Sequence, residues 1–471
     1  MDRIPSCEVK FHPHSFGDPA GRLFEWNGQL YRGIHSEWAP LFTRLFQDGI
    51  IQRLVDRGLL IETEPTPLTI DGYEMVVHHR YVPFVSYPEE WCSAMLKDAA
   101  LTMVELLIEL ARYGLTLKDA HPWNLLFDVC KPVYVDLTSI IPIKDNAKWV
   151  GYDAFCRFCL YPLILMAHGQ ERIARRLLPE YEGILKSELL MLTQDSAVSA
   201  SISLMMSRGT AVLRQQVAEP LRRLLKSALR PIECIFREEA GGLKSYVDFL
   251  KKIRREVESI TLPSFKNECS DYDQNSSPSL LCQDAWTAEH RCLHRILIQL
   301  QPGSVLNIGG NIGWYSGLAS IRGTRVVAFD TDEQLITQLY YIARDHRLPI
   351  LPLIMDFTDP TPSRGLCSHW AIAATERIQC DMVLALKLIH RVVSKRYLNF
   401  DQIVDGLALF SRRWLVVEFV SPEDQAICGR WSDRFSWYAL DNFVNTLKKR
   451  FASVSILSPH AEPHVLLLCE K

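Results

Sequence analysis

Two groups of residues have types and spacings that suit chemistry. The first opens with a glycine-lined run, Asn307-Ile308-Gly309-Gly310-Asn311-Ile312-Gly313, directly after an apolar stretch at 305–308. Glycine lets backbone approach a ligand closely and tolerates positive φ. The spacing is not GxGxxG, which disfavours a pyrophosphate cradle. Asp330 lies 17 residues beyond Gly313, at the end of the next apolar run. A carboxylate there can accept both ribose hydroxyl protons. Asp356-Phe357 ends a third run. Its carboxylate can accept an adenine amino group, and the adjacent ring can cover the base face. Loop, acid and acid after successive strands predict a nucleoside pocket. The alternative for Asp356 alone is a helix N-cap or turn former.

The second group lies in LKDAHPWNLLFDVCKPVYVDLTS, where Asn124 follows Asp119 by five residues and Asp136 follows Asn124 by twelve. This fragment resembles the catalytic loop and metal-binding segment of protein kinases, in which a base precedes two magnesium ligands. Lys118-Asp119 stands where Arg-Asp would, and Asp136-Leu137-Thr138 where Asp-Phe-Gly would. A glycine-rich phosphate loop and a VAIK-like lysine strand are not recognisable upstream; Arg32 or Arg80 could stand in for the lysine. The alternative is that Asp119 and Asn124 brace a loop through backbone hydrogen bonds, with Asp136 capping the turn after its strand.

The elements that must position these residues follow from periodicity. Apolar runs at 305–308, 325–329, 350–355, 381–386 and 414–419 alternate with helical segments, so they predict a parallel sheet covered on both faces. Runs at 452–457 and 465–469 leave no room for a helix between them and must pair antiparallel. The fold class is therefore α/β for the C-terminal part, a Rossmann-like sheet closed by an antiparallel hairpin. Upstream, Asn27-Gly28 predicts a hairpin turn. Met95, Ala99, Met103, Leu106 and Leu110 mark one face of an amphipathic helix ended by Gly114, with Lys97, Asp98, Glu105 and Arg112 elsewhere. The predicted domains are a kinase-like α+β region over 1–144, a helical extension over 145–266, a Ser/Asn/Asp-rich linker over 267–281 and the sheet domain over 282–471.

Composition narrows the function classes. Of 471 residues, 48% are hydrophobic and 23% charged, a globular balance. A net charge of −3 offers no argument for nucleic acid or a membrane surface. The thirteen cysteines include one CxxC, Cys156 and Cys159, in an apolar helical stretch that predicts buried thiols rather than a metal site. No secretory leader or spanning run is evident, which predicts a cytoplasmic setting.

The strand-end pattern with its closing hairpin resembles the class I S-adenosylmethionine-dependent methyltransferases. More narrowly, the chain resembles a bacterial family that includes nodulation-associated methyltransferase-like proteins, through SYPEEWCSAMLKDAAL, GLTLKDAHPWNLLFD, PVYVDLTSI, LNIGGNIGWYS, CDMVLALKLIHRV and LVVEFVSPEDQ. The resemblance implies S-adenosyl-L-methionine as cofactor. It implies that Asn307, Gly309, Gly310, Asn311 and Gly313 line its methionine end, Asp330 its ribose, and Asp356 with Phe357 its adenine. Asn307 departs from the family's usual Asp, the acid that orients the methionine amine, and Lys387 replaces a small apolar residue. For methyl transfer, His390 after the fourth strand is the first candidate base or acceptor-positioning group, and Glu418 at the end of the fifth is the second. Their plain alternatives are a histidine bound to backbone and a glutamate capping a neighbouring loop. Trp314 and Tyr315 are read as helix-packing groups. No resident metal is expected. The acceptor is left open between a small metabolite, a saccharide or glycan, and a protein. The other readings are a bifunctional kinase-methyltransferase and a non-catalytic cofactor-binding scaffold.

Overall fold

The computed structural model describes residues 3–12, 15, 17–144, 149–193, 243–263, 286–310, 313–424, 435–457 and 464–471. The predicted linker at 267–281 lies outside them, as does the leucine-rich run at 221–236.

The N-terminal half opens with an antiparallel sheet built from β1 (Lys10–Phe11), β2 (Gly21–Trp26), β3 (Gln29–Ile34), β4 (Thr63–Pro65) and β5 (Met75–His79). The spatial order is β1-β2-β3-β5-β4. The β2–β3 turn is the expected one, with Asn27 at φ 50° and Gly28 at φ 71°. Below the sheet, the helix Ser93–Ala111 runs through the core, followed by β6 (Leu115–Leu117), a hairpin of β7 (Leu125–Asp128) and β8 (Lys131–Tyr134), and β9 (Ile140–Pro142).

The central helix is buried almost all round rather than on one face. Its predicted polar side is a docking face. Lys97 Nζ donates to the carbonyls of Glu258 and Ile260 at 2.9 and 2.7 Å, and Arg254 pairs with Glu105 at 2.9 Å, these partners lying in or just after the helix Leu243–Ser259. Asp98 accepts from Tyr340 (2.7 Å) and Arg344 (2.9 Å) of the C-terminal half.

The region expected to be helical throughout is interrupted. RRLLPEYEGILKSELLML forms two short helices, Glu171–Leu177 and Lys186–Leu192. Pro179 and Gly183, at φ 62°, fall between them and break the run. Cys156 and Cys159 sit in a π-helical turn, both buried, with burial pushing the Cys156 thiol up to about 12. They are packing groups.

The C-terminal half is a seven-stranded sheet of β10 (Ser304–Ile308), β11 (Arg325–Asp330), β12 (Ile350–Ile354), β13 (Cys380–Ala385), β14 (Ser411–Val420), β15 (Ser453–Ile456) and β16 (His464–Glu470). Its order is β12-β11-β10-β13-β14-β16-β15. All neighbouring pairs are parallel except those of β16, which lies antiparallel between β14 and β15. The sequence thus runs outward from β10 in one direction, then returns to its other side at β13. Such a switch point opens a crevice beyond the carboxyl ends of the strands. A continuous core joins the two halves, from Met103 to Tyr340 and Val327. No helix among the described residues is long and apolar enough to cross a membrane.

Candidate adenosyl site and a second cavity

A cavity of about 490 Å³ lies at the crevice and is lined by Ile308, Gly309, Phe329, Asp330, Asp356 and Phe357, among others. The ends of β10, β11 and β12 therefore meet in one space. Gly309, at φ 72°, faces open space: a Cβ there would meet only Leu388 Cδ1, at 4.0 Å. The amides of Gly309 and Gly310 both donate to the Phe329 carbonyl, at 2.9 and 3.1 Å, which ties the loop to β11. Gly313, at φ 83°, serves packing instead, since a Cβ would come within 2.3 Å of Leu339. Asn311 lies outside the described residues.

Asn307 is buried, and its Nδ2 donates to Ser316 Oγ at 2.9 Å, within the β10–helix junction. Asp330 ends β11 and accepts the Asp332 amide at 3.2 Å. Asp356 is also a turn former, because its Oδ1 accepts from the Thr358 amide and hydroxyl at 2.8 and 2.7 Å. Its Oδ2 pairs with the exposed Arg396 at 2.5 Å. An adenine amino group would have to share or displace that guanidinium. Phe357 keeps its place because Gly406 carries no side chain; a Cβ there would stand 3.0 Å from the ring.

His390 is buried, and its Nδ1 has no hydrogen-bond partner. Burial, then Arg391, pull it down to about 4, so the ring is neutral at physiological pH. Glu418 lies near the end of β14. It is 1% exposed, with Oε2 accepting the Lys387 amide at 2.7 Å and Oε1 bound to His464 Nδ1 at 2.6 Å. Each oxygen thus carries one hydrogen bond, and the one to the amide holds Lys387 at φ 53°. His464 Nε2 reaches Asp424 Oδ2 at 3.1 Å. The Glu418 hydrogen bond, followed by the neighbouring carboxylate charges, raises the pKa of His464. The pairing of His464 with Asp424 escaped the sequence pattern because the two are 40 residues apart; Asp424 falls in the segment LVVEFVSPEDQ, but His464 belongs to no quoted motif.

The second residue group also converges. Arg32 is buried on β3 and pairs with Asp136 at 3.0 Å. Arg80 instead bonds Asp128 at 2.8 Å and Glu62 at 2.6 Å, so Arg32 is the cation that meets Asp136. Thr138 Oγ1 lies 2.6 Å from Asp18 Oδ2 and 2.9 Å from Asp136 Oδ1, and Lys118 bonds Asp18 at 2.7 Å. Arg32, Asp18, Asn124 and Asp136 line a cavity of about 760 Å³, with Leu23, Val82 and Val135 on its apolar side. Asp119 is not among its lining residues; burial raises its carboxyl, and its backbone is held by Ser139 and Tyr134. His369 and Trp370 of the C-terminal half complete the cavity wall. They belong to the same stretch of chain that leaves the smaller cavity at Asp356. Among the described residues no group of three or more His, Cys, Asp or Glu side chains could hold a metal ion.

No family profile matches the chain. Among solved structures, partial likenesses include magnesium protoporphyrin IX methyltransferase of Synechocystis PCC 6803 with bound SAM (14% identity, 39% of this chain and 78% of that one, TM-score 0.28). Others are the N-methyltransferase NodS of Bradyrhizobium japonicum WM9 (13%, 39% and 92%, 0.28) and the bifunctional kinase-methyltransferase WbdD (12%, 38% and 38%, 0.29). At such TM-scores the fold assignment rests on the strand order itself. Over 455 residues, 93% of this chain and 91% of the relative, the sequence is 26% identical to nodulation protein NoeA of Rhizobium meliloti (strain 1021), so the resemblance to nodulation-associated proteins runs nearly the full length.

Proposed function

We propose that this chain is an S-adenosylmethionine-dependent methyltransferase. The observation that carries the reading is the meeting of Gly309, Asp330, Asp356 and Phe357 in one cavity, at the switch point of a sheet with an antiparallel penultimate position. The donor set fits the group: an acid for ribose hydroxyls, an acid and a ring for adenine, and bare backbone for the remaining chain. When bound, the sulfonium supplies an already activated methyl group. The protein's part is then to align an acceptor and take its proton where one is lost. His390, with Nδ1 unpartnered, stays the candidate for positioning the acceptor, whereas a ring pulled down to about 4 is a weak base for the second task. Calorimetric titration with S-adenosylmethionine and S-adenosylhomocysteine tests the reading. Asp330→Ala should weaken both by at least roughly tenfold, the loss of charged hydrogen bonds. Equal affinity in parent and variant would remove the ribose contact and the reading with it.

A second activity is favoured by one observation. Arg32 Nε, His79 Nε2 and His121 Nδ1 are buried without hydrogen-bond partners, and all three residues line the larger cavity beside Asp18 and Asp136. Buried polar atoms without partners are costly unless a ligand meets them. An apolar wall and a charged end suit a nucleoside triphosphate carrying magnesium, since magnesium commonly needs only one or two protein carboxylates beside phosphates. The bifunctional reading requires magnesium-ATP to raise the Tm of the parent and to be turned over, with both effects lost in Asp136→Ala. A parent unaffected by magnesium-ATP would leave the half as a structural or acceptor-binding module.

A further inference from the structure

The smaller cavity has an electrostatic gap. The acid expected on β10 is Asn307, whose amide is committed to Ser316. A ligand whose adenosine end lies over Asp330 and Asp356 must extend its other end along the carboxyl edge, past β10 toward β13 and β14, because that is the order of the strands. Neighbouring strands are about 4.8 Å apart, so β13 and β14 come within reach of a short aliphatic chain crossing β10. On that side stand the Lys387 turn and Glu418, and facing them from the helix Ala288–Leu300 is Glu289.

Glu289 is half-buried, and Oε1 accepts a hydrogen bond from Tyr315 Oη at 2.6 Å. Tyr315 stands in the helix Trp314–Ser320, which Gly313 opens, so this hydrogen bond ties the carboxylate to the first turn of that helix. Burial and the charge of Glu418 push the Glu289 carboxyl up, and Lys387 and His464 only partly offset them. Glu418 is itself hydrogen-bonded to His464 at 2.6 Å. Glu289 is thus a carboxylate within electrostatic range of Lys387 and Glu418, outside the lining of the cavity itself but on the β13–β14 side toward which a ligand crossing β10 extends.

We propose that Glu289 has taken over the task of the acid absent at position 307 and receives the ammonium of the cofactor's methionine end, with Tyr315 as its positioning residue. The inference rests on the adenosyl reading above but can fail separately from it. It also assigns Tyr315 a role beyond helix packing.

The test is titration of the full chain with S-adenosylhomocysteine, which carries the amino-acid end, and with 5′-methylthioadenosine, which lacks it. Glu289→Gln should weaken the first by roughly tenfold or more and leave the second unchanged, because a charge-assisted hydrogen bond is replaced by a neutral one. Asn307→Asp combined with Glu289→Gln should recover a large part of the loss. If Glu289→Gln binds S-adenosylhomocysteine like the parent, or loses both compounds equally, the proposal is overturned. Failure of the double variant to improve on Glu289→Gln overturns the exchange of acids. A parent that takes methylthioadenosine but not S-adenosylhomocysteine sinks this proposal alone; a parent that takes neither sinks the adenosyl reading as well.

Discussion

His464 shows how a single ring can set the charge of a site. Its two nitrogens face Glu418 and Asp424, which stabilises the imidazolium and raises its pKa above the ordinary 6.5. A group whose folded pKa is raised contributes stability that is fully present below the unfolded value and is lost as pH rises through the folded one. The stability gap between parent and His464→Gln should therefore be widest in mildly acidic buffer and narrow on the alkaline side, read from urea unfolding across pH. A gap constant with pH would mean that the ring is neutral. His390 contributes with opposite sign, since burial depresses it to about 4; comparing two chains that both retain His390 cancels that background. The sequence reading chose Glu418 because it ends a strand. Its occupation by the Lys387 amide and His464 depends on contacts 31 and 46 residues away, which no local pattern reveals.

At the scale of elements, the C-terminal strands were legible because a parallel strand buried on both faces is written as an unbroken apolar run. Val305, Leu306 and Ile308 of β10 and Val383, Leu384 and Ala385 of β13 are all buried. The glycine run was legible as a loop, but the division of labour inside it was not. Gly309 leaves room for a ligand, whereas Gly313 makes way for Leu339 from another helix. The long helix Ser93–Ala111 was legible from its apolar spacing, but the partners of its charged side were not, because Lys97, Asp98 and Glu105 find them more than 45 residues away. Long-range pairing of that kind leaves no periodic trace. The region after Gly151 misled for a different reason: leucine-rich composition is shared by one long helix and by several short ones, and only Pro179 and Gly183 mark the break.

For the whole molecule, one of the contacts that join the halves is a buried ion pair. Arg377 pairs with Glu90, their side chains 5% and 1% exposed, and its guanidinium also lies 4.0 Å from the Tyr87 ring centroid. Arg377 donates to the Ile372 carbonyl at 2.8 Å as well. Removing one partner of such a pair strands the other in a dry interior, at a cost of about 3–5 kcal/mol. Arg377→Ala should lose stability on that scale in denaturant unfolding. A loss under about 1 kcal/mol, the range of surface pairs, would show that water reaches Glu90.

The stretch between Asp356 and Trp370 gives one wall to each cavity. The two hollows therefore share a strip of chain as common masonry. Were a guest in the larger one to shift that strip as far as Asp356, the leverage would run equally in reverse: whatever factor one guest imposed on the other's affinity, it would receive back in full.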